Sequence, residues 1–492
     1  LSLMNYRGAD ASNCIYELEN YKLGYHRLNA KDLVSDNNQL FFSPDKRYCV
    51  IFDGRIYNLK ELQKENKLIA TTQSDAEILI KLYIKYKSNM LSMLNGMFAF
   101  IIFDVHKKQF FAARDRLGVK PLYFYAQGNQ FIFSSEIRPI LELAGKVTID
   151  DVAERQYRMM RNFFNGRTIY NEIKEFPAGC YMENCRIKTY WNLDIKYDDP
   201  PSDEELKELI ISSIKYRNTS DINVGSYLSG GIDSTIISYL SESRHTYTVG
   251  FKEYNEFMWS DLAASKLLNS TNHKTIIDKD EFIDIAKKII TTRKEPLLVP
   301  NTVLIYKMNK EVKKQSEVIL SGEGADELFY GYDRIFNWAN RVDEFDIIEF
   351  SRYYCYGSKY DYEVINDALK PFYRFKKPIL IVAAFFQIAH LKGLLSRLDL
   401  ATVMCSVEGR TPFVDYRLVQ RLFGLDFNYK HNNGIVKAPL KRIFSDKIPP
   451  EIIQRRKVGF PVPLNEVFNT QDQDSFYDEW FDFNMKTLRR VL

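Results

Sequence analysis

A short loop of serines and glycines at residues 229–234 constrains the fold of this chain more than any other feature. The loop follows an apolar run at 222–228 that is typical of a buried strand, and it precedes a run at 235–240 whose apolar residues have helical spacing. Its adjacent glycines, Gly230 and Gly231, allow several backbone N–H groups to point into one concavity above the N-terminus of the helix. A strand, loop and helix of this kind predict an α/β domain with a phosphate-binding loop.

Asp233 is the unusual residue of this loop, because a carboxylate beside phosphate is repelled unless a cation lies between them. The simplest interpretation is a hard metal ion that bridges Asp233 to phosphate oxygens. The loop lacks the Lys-Ser or Lys-Thr pair that follows the glycines of a Walker loop. An ordinary strand-to-helix turn, with Asp233 capping the helix, is the alternative interpretation of the same residues.

Residues 227–234, Tyr-Leu-Ser-Gly-Gly-Ile-Asp-Ser, resemble the pyrophosphate loop of ATP pyrophosphatases, which cleave ATP between its α and β phosphates. Within that group they resemble the asparagine synthetase family. The resemblance implies that ATP and its pyrophosphate are bound by Leu228, Ser229, Gly230, Gly231, Asp233, Ser234, Val249, Gly250, Ser321 and Gly322.

The second half of the chain alternates helical and strand patterns. We expect helices at 204–217 and 260–268 and strands at 247–251 and 318–320. This alternation predicts a doubly wound parallel sheet with helices on both faces, in a domain that spans residues 203–492. Ligands of such sheets lie at the carboxyl ends of the strands, where both Ser229 and Ser321 fall.

A second glycine-punctuated loop follows the predicted strand at 318–320 and carries Glu323, Asp326 and Glu327 within five residues. Solvated loop acids would have the same composition, but the position after an apolar strand favours a site in which Asp326 shares magnesium with Asp233. The loop resembles the active-site loop of the asparagine synthetase family. That resemblance implies that Glu323 is the base for the ammonium that attacks.

Segments near the carboxyl end extend the resemblance. Residues 407–415 match the family's Glu-x-Arg-x-Pro-Phe-Leu-Asp signature, and residues 434–442 and 455–461 match the segment that closes over pyrophosphate and the acyl-adenylate. Lys437 falls on the catalytic lysine of that pattern, whose implied role is to stabilise the pentavalent phosphorus. Lys441 stands where the family usually has arginine, so a bidentate contact is lost there while the charge is kept.

Residues 1–197 are rich in aromatic and β-branched runs, and the turn-forming stretch 198–202 is the predicted boundary of this first domain. We expect strands at 98–105, 109–113, 122–126 and 130–134 and a helix at 75–86, which predicts stacked antiparallel sheets. Residues 94–100 and 114–123 resemble the glutaminase domain of the same family. The resemblance implies an Ntn-type class II glutamine amidotransferase sandwich that hydrolyses glutamine and passes ammonia on.

The glutaminase site departs from the family pattern. The resemblance implies that glutamine is bound by Arg27, Asp53, Gly54 and Asp75. It places the nucleophile, a cysteine at the mature amino terminus, upstream of Leu1, so the sequence is expected to be truncated or the activity lost. Asp53 replaces an asparagine that donates to the oxyanion, and an ionised carboxylate only accepts. Arg55 replaces a glutamate that faces the ammonium of glutamine, so we expect weak or absent glutamine hydrolysis.

Composition excludes several classes of partner. The formal net charge of +4 over 492 residues argues against nucleic acid. The most apolar stretch, 378–395, contains Gln387, His390 and Lys392, so a buried helix is expected rather than a membrane span. Six scattered cysteines without a Cys-x-x-Cys pair fit reduced thiols in the cytoplasm. The expected partners are small molecules, and because the family often forms dimers, a homodimer is left open.

These features predict ATP-dependent amidation of a carboxylate through an acyl-adenylate, with release of AMP and pyrophosphate. The expected reaction converts aspartate to asparagine, with glutamine or ammonia as nitrogen donor and with ATP and Mg²⁺ as cofactors. Residues 291–301 face the acceptor in the family and show no clear aspartate pattern, so a sugar acid or a natural-product carboxylate is an alternative acceptor. A non-catalytic scaffold that keeps the fold is an alternative of another class.

Overall fold

The computed structural model describes residues 2–8, 14–18, 21–25, 40–72, 74–128, 130–218, 222–456, 459, 462–470 and 476–492. The chain forms two compact units. The first comprises Leu1–Gly145, Ile173–Asn192 and Ser220–Ile222, and the second comprises Lys146–Glu172, Leu193–Thr219 and Asn223–Leu492. The units therefore interleave along the chain, with residues 146–172 in the second unit. The domain limits 1–197 and 203–492 stay a prediction.

The first unit is built from antiparallel strands. Its strands are β1 (Cys14–Leu18), β2 (Tyr21–Tyr25), β3 (Leu40–Phe42), β4 (Tyr48–Ile56), β5 (Gly96–Asp104), β6 (Gln109–Arg114), β7 (Tyr123–Gln127), β8 (Gln130–Ser134), β9 (Ile173–Glu175), β10 (Cys180–Glu183) and β11 (Arg186–Thr189), and its helices are α1 (Leu59–Asn66), α2 (Asp75–Tyr86) and α3 (Ile137–Leu143). The strand orders are β11-β10-β6-β5-β4-β3, β8-β7-β9 and the hairpin β1-β2. Short 3₁₀ helices cover Ser2–Arg7 and Lys87–Ser92.

Strand β5 shows why this unit is layered. Alternate side chains of a strand point to opposite faces of its sheet. Phe98 and Phe100 belong to a core that includes Ile78 and Leu82 of α2, whereas Ala99 belongs to a second core with residues such as Leu122 and Phe176. The predicted antiparallel sheets are confirmed, as are helix 75–86 and the four predicted strands to within two residues.

The second unit is a parallel sheet with many helices. Its helices are α4 (Asp151–Met160), α5 (Asp203–Arg217), α6 (Ile232–Leu240), α7 (Phe257–Ala264), α8 (Lys279–Arg293), α9 (Thr302–Val312), α10 (Ala325–Leu328), α11 (Asp333–Arg341), α12 (Ile347–Tyr354), α13 (Tyr362–Leu369), α14 (Pro378–Ala384), α15 (Leu391–Val403), α16 (Tyr416–Leu422), α17 (Phe427–Lys430), α18 (Ala438–Ile443), α19 (Pro450–Gln454), α20 (Leu464–Val467) and α21 (Phe476–Arg489). Its strands are β12 (Val224–Tyr227), β13 (His245–Phe251), β14 (Thr271–Ile277), β15 (Val318–Leu320), β16 (Glu408–Arg410), β17 (His431–Asn432) and β18 (Ile435–Val436).

The strand order β14-β13-β12-β15-β16 brings the predicted loops to one edge of the sheet. All four strand pairs are parallel, and Ser226 of β12 pairs with Leu320 of β15, which pairs with Arg410 of β16. The loops after β12 and β15 therefore begin side by side at the carboxyl ends of adjacent strands. The predicted parallel α/β sheet is confirmed.

The structure corrects some predicted element limits. The strand predicted at 222–228 is limited to Val224–Tyr227, and its helix begins at Ile232 rather than at residue 235. The helix predicted at 260–268 spans Phe257–Ala264. The earlier start of α6 places Asp233 and Ser234 within its first turn, because the backbone of Gly231 already forms the N-cap. A glycine N-cap has no side chain that marks the start of a helix, so the sequence pattern did not locate the first residue of α6.

Residues 378–403 form a helical rod in which a short π-helical turn, Phe385–His390, joins α14 to α15. By length and composition this rod could span a membrane, with a mean hydropathy of 1.8 in its most apolar window. However, 61% of that window is buried inside the protein. The helix is therefore typical of the core helix that the sequence predicted.

Candidate active site

The loop between β12 and α6 is held in place by its two serines. The Ser234 hydroxyl accepts from the backbone N–H of Ser229 at 3.2 Å and donates to the carbonyl of Gly231 at 3.1 Å. The Ser229 hydroxyl accepts from the N–H of Gly231 at 3.3 Å. These bonds fix the loop in front of the N-terminus of α6, an arrangement that suits a phosphate group.

Gly230 is a position that only glycine fits. Its φ is +72°, and a Cβ there would lie 2.4 Å from the backbone carbonyl carbon of Trp259. Arg455 donates to the carbonyl of Gly230 at 3.3 Å, forms an ion pair with Glu256 and lies over the Trp259 ring, 4.5 Å from its centre. The segment predicted to close over pyrophosphate therefore contacts the loop through Arg455. Its residues 457, 458, 460 and 461 lie outside the described residues.

The second predicted loop lies directly against the first. A Cβ on Gly322 would lie 3.2 Å from the Cβ of Asp233 and 3.5 Å from the backbone nitrogen of Ser234. Ser321 is buried, and its N–H donates to the carbonyl of Arg410 at 2.9 Å. The small residue at 322 thus lets the loop after β15 approach Asp233.

Three residues that the resemblance assigns to ATP binding, Leu228, Val249 and Gly250, lie at the ends of β12 and β13. Leu228 and Val249 are buried, and the N–H of Leu228 donates to the carbonyl of Tyr247 at 2.9 Å. A Cβ on Gly250 would lie 2.4 Å from the Cβ of Asn255, so no side chain fits at 250. These residues are next to the phosphate-type loop, and their contact with ATP stays a prediction.

Lys437 joins the two loops. Its ammonium contacts Asp233 and lies 2.6 Å from Oδ1 of Asp326, although only 4% of its side chain is exposed. Gly331 allows this approach, because a Cβ there would lie 1.8 Å from Oδ1 of Asp326 and 2.6 Å from Cε of Lys437. Burial lowers the pKa of Lys441, and the charge of Lys437 adds to this effect.

The predicted metal ligands fit a shared magnesium ion. The carboxylates of Asp233 and Asp326 both contact one ammonium group, so they converge closely enough to share a cation. Mg²⁺ prefers carboxylate oxygens, and in nucleotide enzymes it is held by one or two carboxylates together with substrate phosphates. No group of three or more His, Cys, Asp or Glu side chains that could hold a metal occurs among the described residues. A site with two protein carboxylates is consistent with that finding.

The remaining acids of the second loop have distinct partners. Glu323, the predicted base, is ion-paired with Arg397 of α15. Glu327 is fully buried and accepts from the Tyr332 hydroxyl at 2.6 Å. Burial raises the pKa of Glu327 to about 7, and the charge of Asp326 adds to the rise. The two glutamates thus occupy different environments although they are four residues apart.

The signature at 407–415 is held in place by buried ion pairs. Its three charged residues are buried: Glu408 pairs with Arg410 at 2.6 Å, and Asp415 pairs with Arg217 at 3.1 Å and with Arg417 at 2.8 Å. Burial alone would raise the pKa of Asp415, but these arginines outweigh it and hold the pKa at about 2. The signature therefore fixes β16 and the start of α16.

In the first unit, cations of the chain surround Asp53. Its Oδ2 accepts from Arg7 at 3.1 Å and from Ser135 at 3.0 Å, and Lys120 lies 3.5 Å from its Oδ1. Burial would raise the pKa of Asp53, but Lys120 and Arg7 outweigh it and hold the pKa below its usual value. Asp53 is therefore an ionised acceptor.

Of the other predicted glutamine-binding residues, the structure describes Gly54 and Asp75. Arg55 lies 3.8 Å from Oδ2 of Asp75, which also accepts from the N–H of Ile56 at 3.4 Å. Gly54 has a φ of +137°, and a Cβ there would lie 2.0 Å from the carbonyl oxygen of Met97 in β5. Its role is thus to let two strands approach. Arg27 is among the residues that the structure does not describe.

Sequence reasoning missed Arg397 and Trp259, and it included Asn301 only as the last residue of the stretch 291–301. Arg397 donates to Asn301 at 2.9 Å as well as contacting Glu323. One signal could have identified Arg397, because it is a cation within the apolar helical stretch 378–403. Asn301 and Trp259 carry no comparable local signal.

The second unit has a parallel α/β sheet in which a glycine loop faces acidic side chains and a lysine. Most of the antiparallel, amidotransferase-like unit precedes it in the sequence. Together these features define a class of two-domain proteins. The family model for asparagine synthase matches residues 205–489, and the model for the glutamine amidotransferase domain matches residues 1–191. The chain belongs to the asparagine synthase family.

Relatives match much of the chain at low identity. The protein named asparagine synthetase [glutamine-hydrolyzing] 1 of Bacillus subtilis is 28% identical over 93% of this chain and 82% of its own length. A putative asparagine synthetase [glutamine-hydrolyzing] 2 of Methanocaldococcus jannaschii is 32% identical over 67% of this chain and 71% of its own length. Asparagine synthetase B [glutamine-hydrolyzing] of Escherichia coli is 29% identical over 67% of this chain and 60% of its own length.

Proposed function

We propose that this protein is a carbon–nitrogen ligase that activates a carboxylate with ATP through an acyl-adenylate and releases AMP and pyrophosphate. The proposed acceptor is aspartate and the product asparagine. The observation that carries the proposal is the contact of Lys437 with both Asp233 and Asp326 beside the glycine loop. This arrangement places a buried positive charge next to two metal-type carboxylates and a phosphate-type loop.

Each part of the site has a proposed task. The loop residues Ser229, Gly230, Gly231 and Ser234 bind the phosphates that leave as pyrophosphate. Asp233 and Asp326 would hold Mg²⁺, which when bound neutralises charge on the phosphate oxygens. Lys437 stabilises the charge that develops on the α-phosphate during attack. Glu323 takes a proton from the nitrogen when ammonia attacks the acyl-adenylate and displaces AMP.

We propose that the reaction is faster with ammonia than with glutamine as the nitrogen donor. Asp53 is ion-paired with Arg7, and Arg55 lies beside the Asp75 carboxylate. The position that would donate to an oxyanion thus carries a negative charge, and the position that would face the ammonium group of glutamine carries a positive charge. Both charges have the wrong sign for glutamine. We infer that glutamine hydrolysis is weak.

The proposed compartment is the cytoplasm. The cysteines whose side chains are described, Cys49, Cys180, Cys185, Cys355 and Cys405, are free thiols. Thiols are kept reduced in that compartment.

The test is release of pyrophosphate from MgATP by the full chain with aspartate, in parallel with ammonium chloride and with glutamine. We expect aspartate-dependent release and formation of asparagine, several-fold faster with ammonium than with glutamine. Release only with a sugar acid or another carboxylate would establish the alternative acceptor. Failure to bind ATP would leave the non-catalytic scaffold as the explanation, and glutamine turnover equal to that of ammonium would contradict the weak glutaminase.

A further inference from the structure

The hairpin of β17 and β18 leads directly into Lys437. Its two strands are joined by Asn433 and Gly434, whose φ angles are +48° and +81°. A two-residue turn with both φ angles positive matches the twist of the strands and fixes their register. His431 therefore pairs with Val436, the residue immediately before Lys437.

The backbone of Lys437 has a conformation that needs support from its surroundings. Its φ of +56° and ψ of +35° are left-handed, which is unfavourable for a residue that has a Cβ. Asp233 and Asp326 contact the ammonium group, but this group lies at the end of a flexible four-carbon stem. These contacts fix the tip of the side chain, so the position of the backbone depends on the hairpin that precedes it.

His431 anchors this hairpin to the protein. Only 4% of its side chain is exposed, whereas residues 432–435 are exposed and a Cβ on Gly434 would meet nothing within 4 Å. The Nε2 atom of His431 lies 2.7 Å from Oδ1 of Asp333, the first residue of α11. Because a carboxylate only accepts, Nε2 carries the proton and donates it. The His431 ring also stacks on Phe427, with 4.8 Å between the ring centres.

Asp333 is continuous with the loop that Lys437 faces. It lies two residues after Gly331, whose N–H donates to the carbonyl of Asp326 at 2.9 Å. The absence of a side chain at Gly331 leaves room for Cε of Lys437. The hairpin segment therefore contacts the loop segment twice, once through Lys437 and once through His431.

We propose that His431 and Asp333 are positioning residues for Lys437. Their hydrogen bond holds the hairpin against the loop at 321–331, and the hairpin places the Lys437 ammonium beside the reacting phosphate. Asn337, one turn further along α11, donates to the Asp333 carboxylate and keeps it oriented toward the hairpin. Without the bond, the exposed hairpin moves away from the loop and the ammonium is misplaced. This inference rests on the proposed function.

The first test compares His431→Leu with His431→Gln in the full chain. Leucine removes the donor, whereas the amide nitrogen of glutamine takes the place of Nε2 and still donates to Asp333. His431→Leu should lower kcat for pyrophosphate release roughly 30-fold, because misplacement of a catalytic group by an ångström costs up to about 100-fold. The KM for MgATP should change less than about twofold, as expected for an interaction used in the transition state. His431→Gln should keep kcat within about threefold of the wild type.

The second test removes the acceptor. The Asp333 side chain is 56% exposed, so Asp333→Ala is expected to fold and tests the bond independently of His431. It should lower kcat by a similar factor, and the double variant with His431→Leu should be no slower than the slower single variant. Losses that multiply in the double variant would indicate two independent structural effects and would overturn the proposal.

The matched controls are His106→Leu and Asp343→Ala, which replace exposed side chains of the same types. Both should keep the kcat and the KM of the wild type. A loss of kcat in these controls equal to that of His431→Leu and Asp333→Ala would also overturn the proposal, because the effect would then not depend on the bond.

A measurement without substrate separates this inference from the proposed function. Acetic anhydride acetylates accessible lysines, and mass spectrometry of the peptides gives the rate at each position. Lys437 is 4% exposed and should react slowly in the wild type, but about fivefold faster or more in His431→Leu and Asp333→Ala. Lys314, at 64% exposed, should react equally in all variants.

The labelling result is informative whether or not the protein is active. If the wild type releases no pyrophosphate but Lys437 shows this labelling pattern, the proposed reaction fails and the positioning of Lys437 stands. Labelling of Lys437 that is unchanged in both His431→Leu and Asp333→Ala would overturn the positioning role.

Discussion

The ammonium nitrogen of Lys437 lies 2.6 Å from Oδ1 of Asp326, and the same ammonium contacts Asp233. Burial alone would lower the pKa of Lys437, but the two carboxylates outweigh it and hold the pKa above its usual value. Lys437 is therefore positively charged at every pH at which the protein is expected to work. A fixed charge of this kind can stabilise a phosphorus centre without a change in protonation.

Replacing Lys437 tests this role directly. Lys437→Met is expected to lower pyrophosphate release by roughly 1000-fold, because a buried charge aimed at the reacting phosphate is lost. Lys437→Arg should recover less than about a tenth of the activity, since a planar guanidinium does not fit the place of a compact ammonium. Lys314→Met, at a side chain that is 64% exposed, is the control and should be neutral. A Lys437→Met rate within tenfold of the wild type would contradict the role.

Gly230→Ala is expected to destabilise the protein and to abolish ATP binding. A left-handed alanine costs about 1–2 kcal/mol, and the Cβ would also meet the Trp259 backbone at 2.4 Å. Gly145→Ala is the control, because Gly145 has a φ of +78° and an added Cβ would meet nothing within 4 Å. Thermal unfolding and nucleotide titration measure the two effects. Equal behaviour of the two variants would show that the contact with Trp259 is unimportant.

Arg455→Ala is expected to raise the KM for MgATP about tenfold, because a charge-assisted hydrogen bond to the carbonyl of Gly230 is lost. The fluorescence of Trp259 should change as well, since the guanidinium lies over its ring. Arg374→Ala, at a side chain that is 48% exposed, is the control for lost charge. An unchanged KM for MgATP in Arg455→Ala would remove Arg455 from the nucleotide site.

Because Lys430 is buried, we expect an unusual dependence of stability on pH. Its side chain is fully buried, its Nζ has no hydrogen-bond partner among the described residues, and it lies 4.2 Å from the centre of the Tyr330 ring. Burial lowers its pKa to about 7, whereas the unfolded chain has a pKa of about 10.4. Between these values the unfolded state binds more protons, so this group makes the protein more stable as the pH rises from about 7 to about 10.

Lys430→Met should remove that rise and should raise the free energy of unfolding at pH 7 by about 2 kcal/mol, after allowance for the lost cation–π contact. Denaturant unfolding at several pH values between about 6.5 and 10 measures both effects. Lys314→Met should keep the slope of the wild type. A Lys430→Met variant that is less stable at pH 7, with an unchanged slope, would show that the lysine is stabilised by contacts other than those described.

Much of the candidate site was predictable because its residues lie in short stretches of sequence. The loop at 229–234, the loop at 321–331 and the position of Lys437 were identified from motifs, and the structure brings Asp233, Asp326 and Lys437 together. Helix starts were less predictable, as at α6, where a glycine rather than a polar side chain forms the N-cap. The assignment of 146–172 to the second unit also had no local signal.

Sequence alone was sufficient for the class of fold, the order of the elements and the position of each loop, because these depend on neighbours within one or two turns or strands. The partnership of Lys437 with Asp233, 204 residues away, and of Arg397 with Glu323, 74 residues away, became visible only in the folded chain. Sheet order and helix packing bring such residues together, and their spacing along the chain does not reveal these contacts. The loops and Lys437 could therefore be identified one at a time, whereas the ion pairs between them could not.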